Sequence, residues 1–390
     1  MRLCFIVNDD RYFVLHWLAR ARAARAAGME VHVLVRSSSP SVMATMQAAG
    51  LQVHSLVLKA TSRSPLNFLL SAWQVGRQVK RLQPDVVHAI TLKPCLIAVM
   101  LTGRYRVMMS FPGLGRLFSG RGLSLRLLRR LVCQVWRFAA RHPTCLMAFE
   151  HEDDRRRLTD LARLPERATR VTGVSGVDPF VYRDSPLPAS QPPVVLFAAR
   201  LIQSKGLDTL VGVCRTLRRL GIALTLQVAG LPVPGDPDAI PERVLSLLAS
   251  QGDIEWLGEV EEKNMPAVLA GATVVALPSR YAEGVPRILL EAASCGRPVV
   301  AFDRGGVREL LPDDGCGIRV PDGDVSAFTV ALARVLRDRE YAIRAGAEGR
   351  KRVLQSFTAE AAARQNLLCY AALTGADPAA FGRQTREVLL

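Results

Sequence analysis

Short apolar runs rich in β-branched residues alternate with longer stretches of helical spacing along most of this chain, and they do so in two successive series. In the first half the runs fall at 3–7, 31–35, 53–58, 86–88, 107–111 and 145–149, with helical patterns such as 15–27 and 66–82 between them. In the second half the runs fall at 194–198, 223–229, 254–256, 274–277 and 299–301. The helical patterns there are 207–220, 241–250, 265–270, 288–295, 325–337 and 341–354. Strands separated by helices cannot pair through tight hairpins, so they build parallel sheets covered by helices on both faces. The fold class predicted is α/β, with two Rossmann-like doubly wound parallel-sheet domains facing a central cleft.

The two series are separated by Asp184-Ser-Pro-Leu-Pro-Ala-Ser-Gln-Pro-Pro193, with four prolines in ten residues. Such a stretch continues neither a helix nor a central strand. It is read as a linker, 184–193, between a domain of residues 1–183 and another of 194–365. The tail, 366–390, is weakly patterned and is expected to cross back to the first domain.

Charge and cysteine content narrow the partners. The net charge is +16, and all of it lies early: residues 1–186 hold 28 Lys and Arg against 12 acids, and the remainder holds 23 of each. A one-sided charge suits an anionic partner, which leaves membrane surface, phosphate-bearing substrate or nucleic acid. The eight cysteines form no Cys-x-x-Cys or Cys/His cluster, so neither zinc nor a disulfide framework is expected. The apolar runs are too short for a membrane span, and the first is too short for a signal peptide. The expected location is the cytoplasm, on the inner face of the membrane.

Three stretches in the second half carry chemistry. In Phe197-Ala-Ala-Arg200-Leu-Ile-Gln-Ser-Lys205-Gly206 a strand runs into a loop with two cations and a glycine that opens a helix. Arginine offers a planar fork to phosphate oxygens, lysine a point charge, and a helix N-terminus adds backbone N–H groups, a combination suited to a diphosphate. In Glu283-Gly284-Val285-Pro-Arg-Ile-Leu-Leu-Glu291 one carboxylate lies in a loop and another follows in a helix, a spacing able to hold two parts of a polyhydroxylated ligand. In Asp303-Arg-Gly305-Gly306 a buried strand ends in a turn. Each also has an ordinary reading as solvated loop cations, a salt-bridged helix acid or a plain turn.

Taken in order over about 194–355, these stretches resemble the nucleotide-binding domain of retaining glycosyltransferases of family 4, with the GT-B fold. Trp256-Leu257-Gly258, Leu277-Pro-Ser279, Cys295-Gly-Arg-Pro-Val-Val300 and Gly305-Gly-Val-Arg-Glu309 add to the likeness. In the first half Val86-Val-His-Ala-Ile-Thr-Leu-Lys-Pro94, Phe111-Pro-Gly-Leu-Gly115 and Val174-Ser-Gly-Val-Asp178 are similar more thinly. The subgroup resembled extends polyprenyl-diphosphate-linked sugars.

The resemblance implies roles. Arg200 and Lys205 would neutralise the donor diphosphate, and Glu291 would hold the ribose hydroxyls. Glu283 would lie beside the donor sugar with the Gly284–Val285 backbone, and Leu257 and Gly258 would flank the base. The implied reaction moves a hexose or N-acetylhexosamine from a UDP-sugar to a lipid-linked acceptor, with no cofactor. The site is expected to be metal-free, on a reading of the chain as lacking an Asp-x-Asp pair.

Where many relatives carry a polar residue facing the donor sugar from the first domain, this chain reads Met109-Ser-Phe-Pro112. Proline offers no side-chain donor or acceptor, so His16, His88, Lys93, Ser110 and Glu150 stand as candidates for that part.

The stretch from Arg121 to His142 mixes Leu, Trp and Phe with Arg at helical spacing. It reads either as a helix on anionic lipid or as a core helix with a solvated Arg face. Two further readings of the whole are a nucleotide-sugar epimerase of the same fold and a basic nucleic-acid-binding protein; for the latter no recognisable module is present, and no nucleic-acid partner is expected.

Overall fold

A computed structural model of the chain describes all residues except 59–63, 121, 190, 282–283 and 378–390. It divides into two compact units, one of Met1–Gly176 with the segment from Ala359 onward, the other of Val177–Thr358.

The first unit runs β1 (Arg2–Val7), α1 (Asp10–Ala26), β2 (Glu30–Val35), α2 (Pro40–Ala48), β3 (Gln52–Ser55), α3 (Pro65–Leu82), β4 (Val86–Ile90) and α4 (Leu92–Ala98). It continues with β5 (Arg106–Phe111), α5 (Gly115–Ser119), α6 (Leu123–Ala139), β6 (Cys145–Phe149), α7 (Glu152–Ala162) and β7 (Thr169–Val171). The second unit holds β8 (Val194–Ala198), α8 (Leu207–Arg219), β9 (Thr225–Ala229), α9 (Glu242–Ser250), β10 (Glu255–Gly258), α10 (Met265–Gly271) and β11 (Val274–Leu277). Then come α11 (Arg287–Ser294), β12 (Val299–Phe302), α12 (Val307–Leu310), β13 (Ile318–Val320), α13 (Val325–Arg337) and α14 (Arg339–Ser356). The last helix, α15 (Ala359–Thr374), returns to the first unit.

Both sheets are wholly parallel. Their orders are β3-β2-β1-β4-β5-β6-β7 and β10-β9-β8-β11-β12-β13, so each reverses direction once, between β1 and β4 and between β8 and β11. Central strands are buried end to end because helices cover both faces, which is why they read as unbroken apolar runs. Alternate side chains go to opposite faces. In the first unit Cys4, Ile6, Val87 and Met109 meet α3, α4, α6 and α7, whereas Leu3, Phe5, Val86 and Met108 meet α1, α2 and α15.

Several boundaries differ from the sequence reading. The third run ends at Ser55, α1 begins at Asp10, and β7 and β13, three residues each at the sheet edges, give no periodic signal. The returning helix starts at Ala359, because its alanine-rich first turns lack an amphipathic stripe but favour helix strongly.

The proline-rich stretch is not the junction. It lies inside the second unit, and the chain passes between units at Gly176–Val177 and Thr358–Ala359. The prolines do exclude regular structure, but the carbonyls they leave free are collected by two arginines. The wholly buried Arg297 donates to the carbonyls of Ser185, Pro186 and Cys295 and to Ser185 Oγ, and Arg339 donates to those of Leu187 and Pro188. Burial pushes the Arg297 guanidinium below its ordinary value, so these carbonyls are what keep it in place. Arg297→Met leaves them without donors, and urea unfolding is expected to show a loss of about 2–3 kcal/mol.

Candidate functional site

The sequence motifs of the second unit gather at the carboxyl ends of its strands, on both sides of the β8/β11 reversal, where doubly wound sheets bind ligands. Arg200 is the second residue after β8 and is exposed. The chain then makes a short 3-10 turn, Gln203–Lys205, and reaches Gly206 with φ +84° at the N-cap of α8. A Cβ on Gly206 would collide with the Pro278 carbonyl oxygen, so only glycine lets the loop after β8 pack against the loop after β11. The Arg280 N–H donates to the Ser204 carbonyl at 2.8 Å and ties the same two loops.

That contact brings both cations onto one aromatic ring. The Arg200 guanidinium carbon and Lys205 Nζ each lie 5.4 Å from the Tyr281 ring centroid. Lys205 is 5% exposed, so its ammonium acts in a low dielectric rather than in bulk water. Neither α8 nor α11 carries a side-chain cap at its N-terminus, and both open onto these loops. Tyr281 was missed by the sequence reading, since one tyrosine in a loop carries no pattern.

Glu283 lies outside the described residues. Its neighbours Gly284 and Val285 are buried. A Cβ on Gly306 would meet Val285 N at 2.7 Å, which brings the Gly305–Gly306 turn after β12 against this loop as a third wall. Leu257 and Gly258 end β10 beside β9, where the Gly258 carbonyl accepts from Gly230 N at 2.7 Å and Trp256 Nε1 donates to the Gly230 carbonyl at 3.0 Å.

Glu291, in the second turn of α11, is 6% exposed and enclosed. Its Oε1 accepts from Arg287 Nε at 2.6 Å, and Arg287 also reaches Glu262 at 2.9 Å. Burial and the Glu291 carboxylate, which accepts from it, raise the Tyr182 phenol above its ordinary value. Glu291 is thus a positioned acceptor inside a chain Glu262–Arg287–Glu291–Tyr182.

The metal argument made from sequence fails on the sequence itself. Asp236-Pro-Asp238 and Asp322-Gly-Asp324 are both Asp-x-Asp pairs. Three of their four carboxylates have structural tasks: Asp238 accepts from the Ser204 N–H and hydroxyl, Asp322 pairs with Arg304 at 2.6 Å, and Asp324 caps α13. Among the described residues no group of three or more His, Cys, Asp or Glu is arranged to hold a metal ion.

In the first unit the candidates separate. His88 and Ser110 are core residues: His88 Nδ1 lies 2.7 Å from Tyr370 Oη and Nε2 2.7 Å from Ser110 Oγ. His16 packs against Tyr12, the rings tilted by 37° with centroids 4.5 Å apart, and lies 3.4 Å from Ser175 Oγ. Glu150 is near enough to raise the Tyr12 phenol and to oppose the lowering of the Arg20 guanidinium by burial. Lys93 is half-buried, and desolvation lowers its ammonium. One residue in this region had no sequence signal. Thr91, at the end of β4, holds φ +73° and ψ 165°, strained values for a β-branched residue, with its hydroxyl on Asn8 Oδ1 at 3.3 Å.

Two doubly wound parallel sheets, one with a paired-cation loop, two uncapped helix N-termini and a buried glutamate at its strand ends, define an α/β protein with a cationic site at the carboxyl ends of its second sheet. Residues 180–352 match the family described as glycosyl transferases group 1, and residues 2–140 match that described as glycosyl transferase 4-like. The chain belongs to glycosyltransferase family 4.

It is 32% identical over 166 residues to a GDP-mannose-dependent alpha-(1-6)-phosphatidylinositol monomannoside mannosyltransferase of Mycobacterium tuberculosis, covering 41% of this chain and 42% of that one. It is 29% identical over 184 residues to the amylovoran biosynthesis glycosyltransferase AmsK of Erwinia amylovora, covering 45% and 44%. In both cases the match spans less than half of the relative's length. The fold is shared with HepE of Anabaena in complex with UDP and glucose, at a TM-score of 0.75 and 18% identity over 95% of this chain and 99% of that one.

Proposed function

We propose that this protein is a retaining glycosyltransferase that moves a hexose or N-acetylhexosamine from a UDP-sugar to a lipid-linked saccharide acceptor during polysaccharide or glycan assembly. The observation that carries the reading is the convergence of Arg200, Lys205 and two helix N-termini at the strand ends of the second unit. When the bond between the sugar and the diphosphate breaks, negative charge grows on the diphosphate. Fixed cations and N–H groups there stabilise the transition state more than the ground state. Glu291 holds the ribose and Glu283 orients the donor sugar. Leu257 and Gly258 flank the base through their backbone.

The relatives pull the donor base in two directions, one named for GDP-mannose and a fold neighbour solved with UDP. A panel of UDP- and GDP-sugars scored by thermal shift, followed by turnover with a polyprenyl-diphosphate sugar, tests the reading. Stabilisation by a UDP-sugar and transfer to the lipid acceptor is expected; stabilisation by GDP-sugars alone overturns the base, and no response to any nucleotide sugar overturns the donor assignment. Turnover is also expected to be unchanged by EDTA, and loss restored by Mn²⁺ or Mg²⁺ would overturn metal independence. No helix among the described residues is long and apolar enough to cross a membrane. A peripheral place on the cytoplasmic face, with the basic half toward anionic lipid, is part of the same proposal.

A further inference from the structure

Between Glu30 and Glu150 the chain carries 16 Lys and Arg and a single acid, Asp85. The long helices of that stretch share one side of the first unit. Val75 and Val79 of α3 and Val132 and Trp136 of α6 lie in one core layer against one face of the sheet, so the opposite faces of both helices look outward on the same side. Those outward faces are apolar. On α6 Leu123, Leu127 and Leu131 are 77%, 64% and 62% exposed at i, i+4, i+8, and on α3 Leu66, Leu69 and Trp73 are 72%, 63% and 61% exposed. Rows of this kind on a soluble domain mark a surface that something covers.

Beside the α6 row runs a groove of about 370 Å³ between α6 and α7, lined by Arg129, Arg130, Arg137, Arg163, Gln134 and Leu161 among others. Arg129 is held by the carbonyls of Leu117 and Gly120 at 3.0 and 2.9 Å. The guanidinium groups of Arg130, Arg137 and Arg163 make no hydrogen bond or ion pair among the described residues, and no acid lines the groove. Four like charges in one groove repel each other unless an anion joins them. Arginine forks match phosphate oxygens.

We propose that this face docks on an anionic phospholipid bilayer, the α6–α7 groove seating a lipid phosphate while the leucines of α6 and the Leu/Trp row of α3 enter the acyl boundary. The charge complements anionic headgroups, and the apolar rows choose the bilayer over nucleic acid, which would leave them in water. The proposal deepens the peripheral membrane placement proposed above and rests on that reading; its residues are separate from the donor site.

The test is flotation of the full chain with phosphatidylcholine vesicles, with and without phosphatidylglycerol. Binding only to the anionic vesicles, weakened by salt, is expected. Arg130→Glu with Arg137→Glu and Arg163→Glu should lose about a hundredfold or more, since each basic residue near the surface contributes about fivefold and the glutamates add repulsion. Leu127→Ser with Leu131→Ser should lose about tenfold. If the glutamate triple variant does not fold, the Arg→Gln triple, expected to lose about tenfold or more, takes its place. Equal binding to neutral vesicles, or wild-type binding by the folded triple variant, overturns the proposal. So does tight binding of inorganic phosphate without any vesicle binding, which would make the groove a site for free phosphate. UDP thermal shift on the same proteins separates the two readings: vesicle binding without a UDP response sinks the donor assignment and leaves docking standing, and the reverse sinks docking alone.

Discussion

Lys205→Ala is expected to lose about a thousandfold in kcat/KM for nucleotide-sugar turnover, about 4 kcal/mol, while the fold survives. The size follows from where the ammonium lies. At 5% exposure, in the loop between β8 and α8, it cannot be replaced by water without a change in dielectric. In the proposed reading its charge faces the place where the diphosphate's own charge would grow. Arg200, exposed beside the same Tyr281 ring, is screened by solvent, so Arg200→Ala should cost only about ten- to a hundredfold. Lys205→Arg should not rescue, because the buried site that admits a compact ammonium has to admit a planar fork instead. Steady-state release of UDP, with circular dichroism to verify folding, reads all three. Activity of Lys205→Ala within threefold of the wild type would remove the diphosphate from this loop.

Tyr370→Ala should unfold the first unit at much lower denaturant, with a loss of about 4–5 kcal/mol. Tyr370 is wholly buried on α15, and its hydroxyl meets His88 on β4 across 282 residues of sequence. The change empties a ring-sized space in the core and leaves His88 Nδ1 without its partner. Tyr370→Phe removes only the hydroxyl and should cost about 1–3 kcal/mol. Removing α15 altogether should be worse than either, since Leu367, Tyr370 and Ala371 belong to the same core layer as α1.

His88 also sets a pH dependence. Burial, with Arg20 adding, holds its imidazole well below the ordinary value of 6.5. The ring is therefore neutral in the fold, one nitrogen donating and the other accepting between Tyr370 and Ser110. Below pH 6.5 the unfolded chain takes up a proton there and the folded chain does not. The stability supplied by the neutral ring is thus complete above 6.5 and is lost as pH falls, at about 1.4 kcal/mol per unit until the native value is reached. His32 and His54 are lowered in the same direction, so the comparison is between wild type and His88→Gln. The difference between their stabilities should narrow as pH drops from 7 toward 5; parallel curves would show that His88 titrates freely in the fold.

The sequence marked His88 as a cleft candidate because Pro112 offers no side-chain donor or acceptor to the donor sugar from the first domain. Only the register of β4 beside β5, with α15 laid over them, shows it facing Ser110 and Tyr370 inside the core. Thr91, three residues further along the chain, had no comparable signal, since backbone strain is a property of φ and ψ and not of composition.

By itself the sequence determined the two parallel α/β domains, the loop positions of Arg200 and Lys205 and the helical position of Glu291. These are local matters: apolar run length, helical spacing, and a cation or a glycine at a strand end are legible within a dozen residues. The tertiary structure alone decided that the proline-rich stretch is held inside the second unit by Arg297 and Arg339, that α15 completes the first, that Tyr281 unites the two cations, and that Asp238 and Asp322 are engaged with Ser204 and Arg304. Each of these is a contact between residues far apart in the chain, made by packing and by hydrogen bonds to backbone carbonyls, and such pairings leave no periodic trace in a sequence.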